Sequence, residues 1–163
     1  MLVREETGED YAGIKALDYA HDVIEKLRTS GLNVVSLVAV EGNDVLGHIL
    51  FSQLSVVVDG RVVKAVSLAP LAVIPSRQRQ GIGAMLTNEG LAMRRKKQFE
   101  AVIVLGHTTY YPRFGFTADL TRHLASPFRG NASFMGLELT PGALTGEKGR
   151  VTYPDAFGLG ESH

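Results

Sequence analysis

The sequence predicts an α/β domain: a mixed, mostly antiparallel sheet with one parallel strand pair and helices packed against it. Two observations carry this expectation. Residues 34–66 alternate β-branched apolar runs with short glycine turns, the pattern of antiparallel hairpins. Leu71-Ala72-Val73-Ile74 is followed by a glycine turn, a helix-period stretch and the apolar run Ala101–Leu105. Strand, helix and strand in that order imply a parallel crossover.

The elements follow in order. Leu2–Arg4 is a short first strand. Thr7 stands three residues before Asp10, an N-cap signal with an acidic first turn. Tyr11, Ile14, Leu17 and Ala20 are spaced as one helical face, and Val23, Ile24 and Leu27 mark a second helix that Gly31 closes. Val34–Val40 is a strand, Gly42-Asn43-Asp44 a turn, and Val45–Leu54 the partner strand. Val56-Val57-Val58, Asp59-Gly60 and Arg61-Val62-Val63 form a hairpin signal, because Asp-Gly favours the turn whose twist matches the strands. Ser67–Ile74 is a further strand, with Pro70 marking a bulge or break. The helix after Gly81 is expected to reach about Lys97, with Ile82, Met85, Leu86 and Met93 on one face. Its last turn would carry Arg94-Arg95-Lys96-Lys97, suited to the negative end of the helix dipole. Ala101–Leu105 reads as a buried strand. Phe134–Leu139 and Val151–Tyr153 read as later strands, and residues from about 155 to 163 as a loose tail.

At 163 residues the chain is expected to form one domain, residues 1–163. Seventeen basic and 17 acidic residues balance, so net charge offers no hold on nucleic acid or a membrane. The absence of cysteine excludes disulfides, thiolate metal sites and a cysteine nucleophile. No His, Asp or Glu grouping has metal-ligand spacing, so no metal is expected. Met1-Leu2-Val3-Arg4-Glu5-Glu6 is too charged for a signal peptide, and no stretch reaches membrane-span length. A cytoplasmic protein is expected.

The segment Gln78-Arg79-Gln80-Gly81-Ile82-Gly83-Ala84 carries the clearest chemistry. Gly81 and Gly83 let backbone N–H groups approach a ligand, and the opening of a helix adds unpaired N–H groups with partial positive charge. That combination binds a pyrophosphate. The P-loop form is ruled out, since GxxxxGK[ST] is missing. A dinucleotide fingerprint would need a third glycine where Leu86 stands. Glu100 precedes the next strand, whereas the ribose-binding acid should follow it.

With Pro70-Leu71-Ala72-Val73 before this turn and Tyr110-Tyr111-Pro112-Arg113-Phe114-Gly115-Phe116 after it, the chain resembles the GNAT superfamily of N-acetyltransferases, in particular its small bacterial members. The resemblance is strongest from Leu68 to Phe116. It implies the GNAT fold: a mixed, mostly antiparallel sheet with a central splayed parallel pair and helices on both faces. It implies acetyl-CoA as cosubstrate. Backbone groups of Leu71, Ala72 and Val73 would pair with the pantetheine arm, one strand N–H polarising the thioester carbonyl. Gln78, Arg79, Gln80, Gly81, Ile82, Gly83 and Ala84 would hold the pyrophosphate, with Arg77, Gln78 and Arg79 biasing the approach positively.

The same resemblance makes Tyr111 the general acid for the departing thiolate, with Tyr110 as its neighbour and rival. Phe114 and Phe116 read as packing residues, and Arg113 either contacts the cofactor or caps a carbonyl. His107, after the Ala101 strand, is a candidate base, since histidine titrates near neutral pH. Glu25, Asp18 and His48 are further candidates, and His48 is equally explained as a strand residue pointing outward. Direct transfer to a primary amine of a small molecule or peptide follows, because there is no cysteine to carry an acetyl group. The alternative is a regulatory module of the same fold that binds acetyl-CoA without turnover. The acceptor pocket would be built near residues 18–32 and 117–133. There Arg122, His123 and Arg129 either favour an anion or form a solvated loop. Dimers are frequent in the family, which leaves a homodimer open.

Overall fold

The computed structural model describes residues 1–17 and 20–159. Its elements are β1 (Leu2–Glu5), α1 (Tyr11–Leu17), α2 (His21–Thr29), β2 (Asn33–Glu41), β3 (Asp44–Val58), β4 (Arg61–Val73), α3 (Ile82–Ala92), β5 (Ala101–Leu105), β6 (Leu124–Ala125), β7 (Phe134–Glu138) and β8 (Gly149–Thr152). The chain divides into two units: Met1–Ser52 with Ala69–Lys97, and Gln53–Leu68 with the residues from Gln98 onward.

In the first unit β1 pairs antiparallel with β2, from Leu2↔Val40 to Glu5↔Leu37, and β2 pairs antiparallel with β3. The register between β2 and β3 shifts between Ala39 and Val40. Ile14, Ile24, Leu27, Val35, Phe51, Ile82 and Leu86 are buried. Gly90 permits the close packing of α3, since a Cβ there would overlap the Phe51 ring.

The first helix starts as read. Asp10 accepts from Thr7 N at 2.8 Å, closing a 3₁₀ turn at Gly8–Asp10 that leads into α1. Ala20, however, caps α2 instead of extending the α1 face. Gly31 closes α2 with φ +70°. The stretch 45–58 is one continuous strand within β3, and the residues expected as two strands around Val63 and Leu71 join in β4 through a cis Ala69–Pro70 bond.

The end of α3 also differs. The helix stops at Ala92, not near Lys97. The chain tightens there through Met93 N→Gly90 O and Arg94 N→Leu91 O, then reverses at Gln98, φ +59°. The four cations therefore lie beyond the helix, and Lys97 pairs with Glu5 at 3.0 Å. Met85 is exposed instead of lying on the packed face, which is formed by Ile82, Leu86, Thr87, Gly90 and Leu91.

In the second unit β4 runs parallel to β5 over Ala65↔Ala101, Val66↔Val102 and Ser67↔Ile103. β7 adds antiparallel to β5, from Ala101↔Glu138 to Leu105↔Phe134. β8 pairs antiparallel with the end of β3 and parallel with the two-residue β6. The β3–β4 turn is the expected one: Asp59 and Gly60 both have positive φ, +48° and +77°. The Asp59 carboxylate also accepts from the N–H groups of Glu147 and Lys148, at 3.2 and 3.0 Å, and these bonds lower its pKa. The core gathers Val56, Val58, Ile103, Leu124, Phe134, Leu144 and Val151, with Phe128 and Tyr153 packed against it. Asp155–Phe157 forms a 3₁₀ turn with Phe157 edge-on to Tyr153, while 160–163 of the expected tail lie outside the described residues.

Candidate active site

The glycine turn lies in the first unit and is assembled by its own side chains. Pro75–Arg77 forms a 3₁₀ turn after β4. Arg77 donates from Nε to Gln80 Oε1 at 3.0 Å and pairs with Glu41 at 3.2 Å. Gln78 donates to Val73 O at 3.0 Å. The guanidinium of Arg77 and the carboxamide of Gln78 therefore brace the loop instead of adding free positive character to its approach. Arg79 is exposed and left-handed, φ +65°.

Gly81 is the N-cap of α3 with φ +85°, and nothing lies within 4 Å of a Cβ built there. Among the described residues the N–H groups of Arg79 to Ala84 have no backbone acceptor. A left-handed residue beside a helix start converges such N–H groups into a concavity for an anion. The turn can thus hold a pyrophosphate with backbone alone. The left-handed Arg79 was not legible in the sequence, since arginine carries no signal for positive φ.

Leu71, Ala72 and Val73 end β4 in the same unit and are half-buried. Ile74 N donates to Leu46 O at 2.9 Å, which anchors the strand end just before the turn.

Tyr111 and His107 belong to the second unit. Tyr111 starts a 3₁₀ turn, Tyr111–Phe114, that ends at Gly115 with φ +99°. Its ring is 8% exposed, edge-on to Tyr110 at 5.1 Å and to Phe116 at 5.7 Å. It lies so close to Gly106 that a Cβ there would overlap it. Burial, with a smaller contribution from Tyr110, pushes the phenol up to about 12. Tyr111 therefore keeps its proton across the physiological range and has an O–H to donate.

Arg113 caps the Tyr110 carbonyl at 3.1 Å and its guanidinium lies 4.5 Å from the Tyr110 ring centroid, so its expected role as a carbonyl cap is the one present. Phe116 is buried and Phe114 packs on Tyr110 at 5.4 Å.

The His107 ring is exposed, and its carbonyl accepts from Tyr110 N and Tyr111 N at 3.1 and 3.2 Å. His107 lines a depression of about 430 Å³ with Leu105, Gly106, Phe128, Asn131 and Ser133. Phe128, Asn131 and Ser133 fall within the 117–133 segment expected for the acceptor pocket, but none of the three was singled out, because they meet His107 only where β7 joins β5.

The other candidates separate. His48 does not point outward: it is fully buried, its Nε2 2.8 Å from Ser36 Oγ. β3 is buried on both sides from Leu46 to Ser52, so no side chain in that run reaches solvent. Glu25 is exposed on α2, and Asp18 lies outside the described residues. Arg122 pairs with Asp119 at 2.7 Å, His123 Nε2 lies 2.6 Å from Leu144 O, and Arg129 donates to Arg122 O. Arg122 and Arg129 are engaged within residues 119–129, whereas His123 ties that segment to Leu144. Among the described residues no group of three or more His, Asp or Glu could hold a metal, and no helix is long and apolar enough to cross a membrane.

Comparison with known proteins bears on the same segments. Residues 3–116 match the acetyltransferase (GNAT) family. The uncharacterized N-acetyltransferase YhbS of Escherichia coli is 33% identical over 166 residues, covering 96% of this chain and 98% of that protein. The crystal structure of Escherichia coli YhbS in complex with CoA superposes with TM-score 0.85 at 32% identity, covering 99% of this chain and 93% of that one. A GNAT acetyltransferase from Brucella melitensis in complex with acetyl-CoA gives 0.75 at 32% identity, covering 96% and 97%. With relatives this similar over almost their whole length, and a family match that spans both the glycine turn and the tyrosine turn, the chain belongs to the acetyltransferase (GNAT) family of N-acetyltransferases.

Proposed function

We propose that the protein transfers the acetyl group of acetyl-CoA directly to a primary amine. The observation that carries this is the turn Gln78–Ala84: six successive N–H groups without backbone acceptors, at a helix start opened by a left-handed glycine. Relatives at 32% identity bind CoA and acetyl-CoA, and a pyrophosphate matches the chemistry of that turn.

In this reading Gln78, Arg79, Gln80, Gly81, Ile82, Gly83 and Ala84 hold the pyrophosphate. The backbone of Leu71, Ala72 and Val73 pairs with the pantetheine arm, and one of its N–H groups stabilises the oxyanion of the tetrahedral intermediate. The neutral amine attacks the thioester carbon. The C–S bond then breaks and the electron pair leaves on sulfur. Tyr111 gives that sulfur a proton or a hydrogen bond, and His107 or a water beside it takes the proton that the amine nitrogen carries once it has added to the carbonyl carbon.

The test is thiol release from acetyl-CoA in the presence of an amine panel, with wild type and Tyr111→Phe. Because the chain contains no cysteine, the protein adds no thiol background. Turnover that needs an amine and falls about 10²-fold in Tyr111→Phe supports the reading. Thiol release that is independent of amine, or equal in the variant across pH, contradicts it.

A further inference from the structure

The depression beside His107 has a defined chemistry. Its wall is Phe128, whose ring is edge-on to Tyr153 at 5.5 Å and 6.2 Å from Phe134. That packing fixes the ring before any ligand arrives. Leu105, 45% exposed at the end of β5, adds a second apolar surface. An exposed leucine and a phenylalanine lining the same depression favour an apolar occupant.

The rim is polar and uncharged. Asn131 Oδ1 accepts from Ser133 N at 2.8 Å, which leaves its NH₂ as a donor at the rim. Gly106 N bonds to Ser133 O at 3.0 Å and ties the rim to the end of β5. None of the lining side chains is a carboxylate. A polycation seated here would bring charges without counter-charges to meet them.

The depression also adjoins the proposed acid. Gly106 lines it and also lies against the Tyr111 ring, and the His107 carbonyl holds the Tyr111 N–H. A ligand seated against Phe128 shares the depression with His107 and with Gly106, the residue against which the Tyr111 ring packs. The volume of about 430 Å³ falls within the small-molecule range of roughly 300–1,000 Å³.

We infer that this depression seats the acetyl acceptor and selects primary amines on an uncharged aryl or alkyl body over polycationic amines. The inference rests on the proposed acetyl transfer and names its substrate class. Phe128 and Leu105 take the apolar body, Asn131 and Ser133 a neutral polar substituent, and His107 lies at the amine end.

The experiment measures kcat/KM by thiol release at saturating acetyl-CoA, with phenethylamine and spermidine as probes, and acetyl-CoA affinity by calorimetry in parallel. Wild type is expected to favour phenethylamine by about tenfold or more. Phe128→Ala should raise the phenethylamine KM about fivefold or more, and Phe128→Leu should recover part of it, with acetyl-CoA affinity unchanged in both. Asn131→Asp, which places a carboxylate on the rim, should narrow or reverse the preference without touching the packed core. A wild-type preference for spermidine, or a phenethylamine KM unmoved by Phe128→Ala together with a preference unmoved by Asn131→Asp, overturns the inference while acetyl transfer stands. Absence of acetyl-CoA binding overturns both.

Discussion

The ring of Tyr111 rests on the Cα of Gly106, with no room for a Cβ between them. Glycine at 106 is thus what lets the buried phenol lie against the end of β5. The contact is rigid on both sides: one partner is backbone, the other a ring held by Tyr110 and Phe116.

Gly106→Ala should therefore displace the Tyr111 ring. The expected destabilisation is about 1–3 kcal/mol, as for other overpacked sites. Transfer should fall toward the Tyr111→Phe level while acetyl-CoA affinity, measured by calorimetry, is retained. A variant with wild-type turnover would show that the ring position is irrelevant to the chemistry.

Gly81→Val tests the glycine turn. Its φ of +85° is costly for a β-branched residue even though the space around it is open. The loop should relax away from the left-handed conformation and scatter the N–H groups of the turn. Acetyl-CoA affinity should weaken about tenfold or more, an effect near 1.4 kcal/mol. Circular dichroism should report a retained fold. Gly83→Val, which sets a side chain among the same N–H groups, should act in the same direction.

Acid sensitivity should trace to Asp10. Arg4 donates to both its oxygens, at 2.7 and 3.0 Å, and Thr7 N adds a third bond. The Arg4 bonds above all hold the carboxyl at about 2. A carboxyl lowered on folding contributes stability above its unfolded pKa of about 3.9 and loses it as pH falls toward the folded value. The contribution at neutral pH is on the order of 1–2 kcal/mol. Arg4→Met should lower Tm at pH 7 and flatten the fall in Tm between about pH 4 and pH 2. An unchanged acid profile would remove Asp10 from that account.

Packing of α3 offers a test of stability alone. Gly90→Ala forces a methyl group into the Phe51 ring, and about 1–3 kcal/mol of destabilisation is expected by denaturant titration. Gly90→Ala with Phe51→Leu should recover much of the loss, since the shorter side chain vacates that space.

Much of this molecule was readable before any coordinates, for local reasons. Asp59-Gly60 has one favoured turn, and both residues adopt it. The run Ala101–Leu105 matches β5 residue for residue, because a short continuous apolar run has few other solutions. The glycine turn reads as the opening of a helix, and Gly81 is the N-cap of α3.

What escaped depends on pairing across the chain. A basic run suits the end of a helix, so α3 reads as reaching Lys97, but the last cation is held by Glu5, 92 positions earlier in sequence, and the helix ends first. Alternation put His48 outward, yet a strand covered on both faces has no outward side. Phe128, Asn131 and Ser133 meet His107 only because β7 pairs with β5, which no local pattern encodes. Arg77 and Gln78 are polar residues beside an anion site by sequence, and loop braces once their partners Glu41 and Val73 are in view.

The most direct measurement is calorimetric titration of the protein with acetyl-CoA, with NADH as the control ligand. The account predicts saturable binding of acetyl-CoA, none of NADH, and a clear weakening in Gly81→Val. Absence of acetyl-CoA binding, or equal binding of NADH, would contradict the reading of residues 78–84 as the acetyl-CoA cradle and the activity built on it.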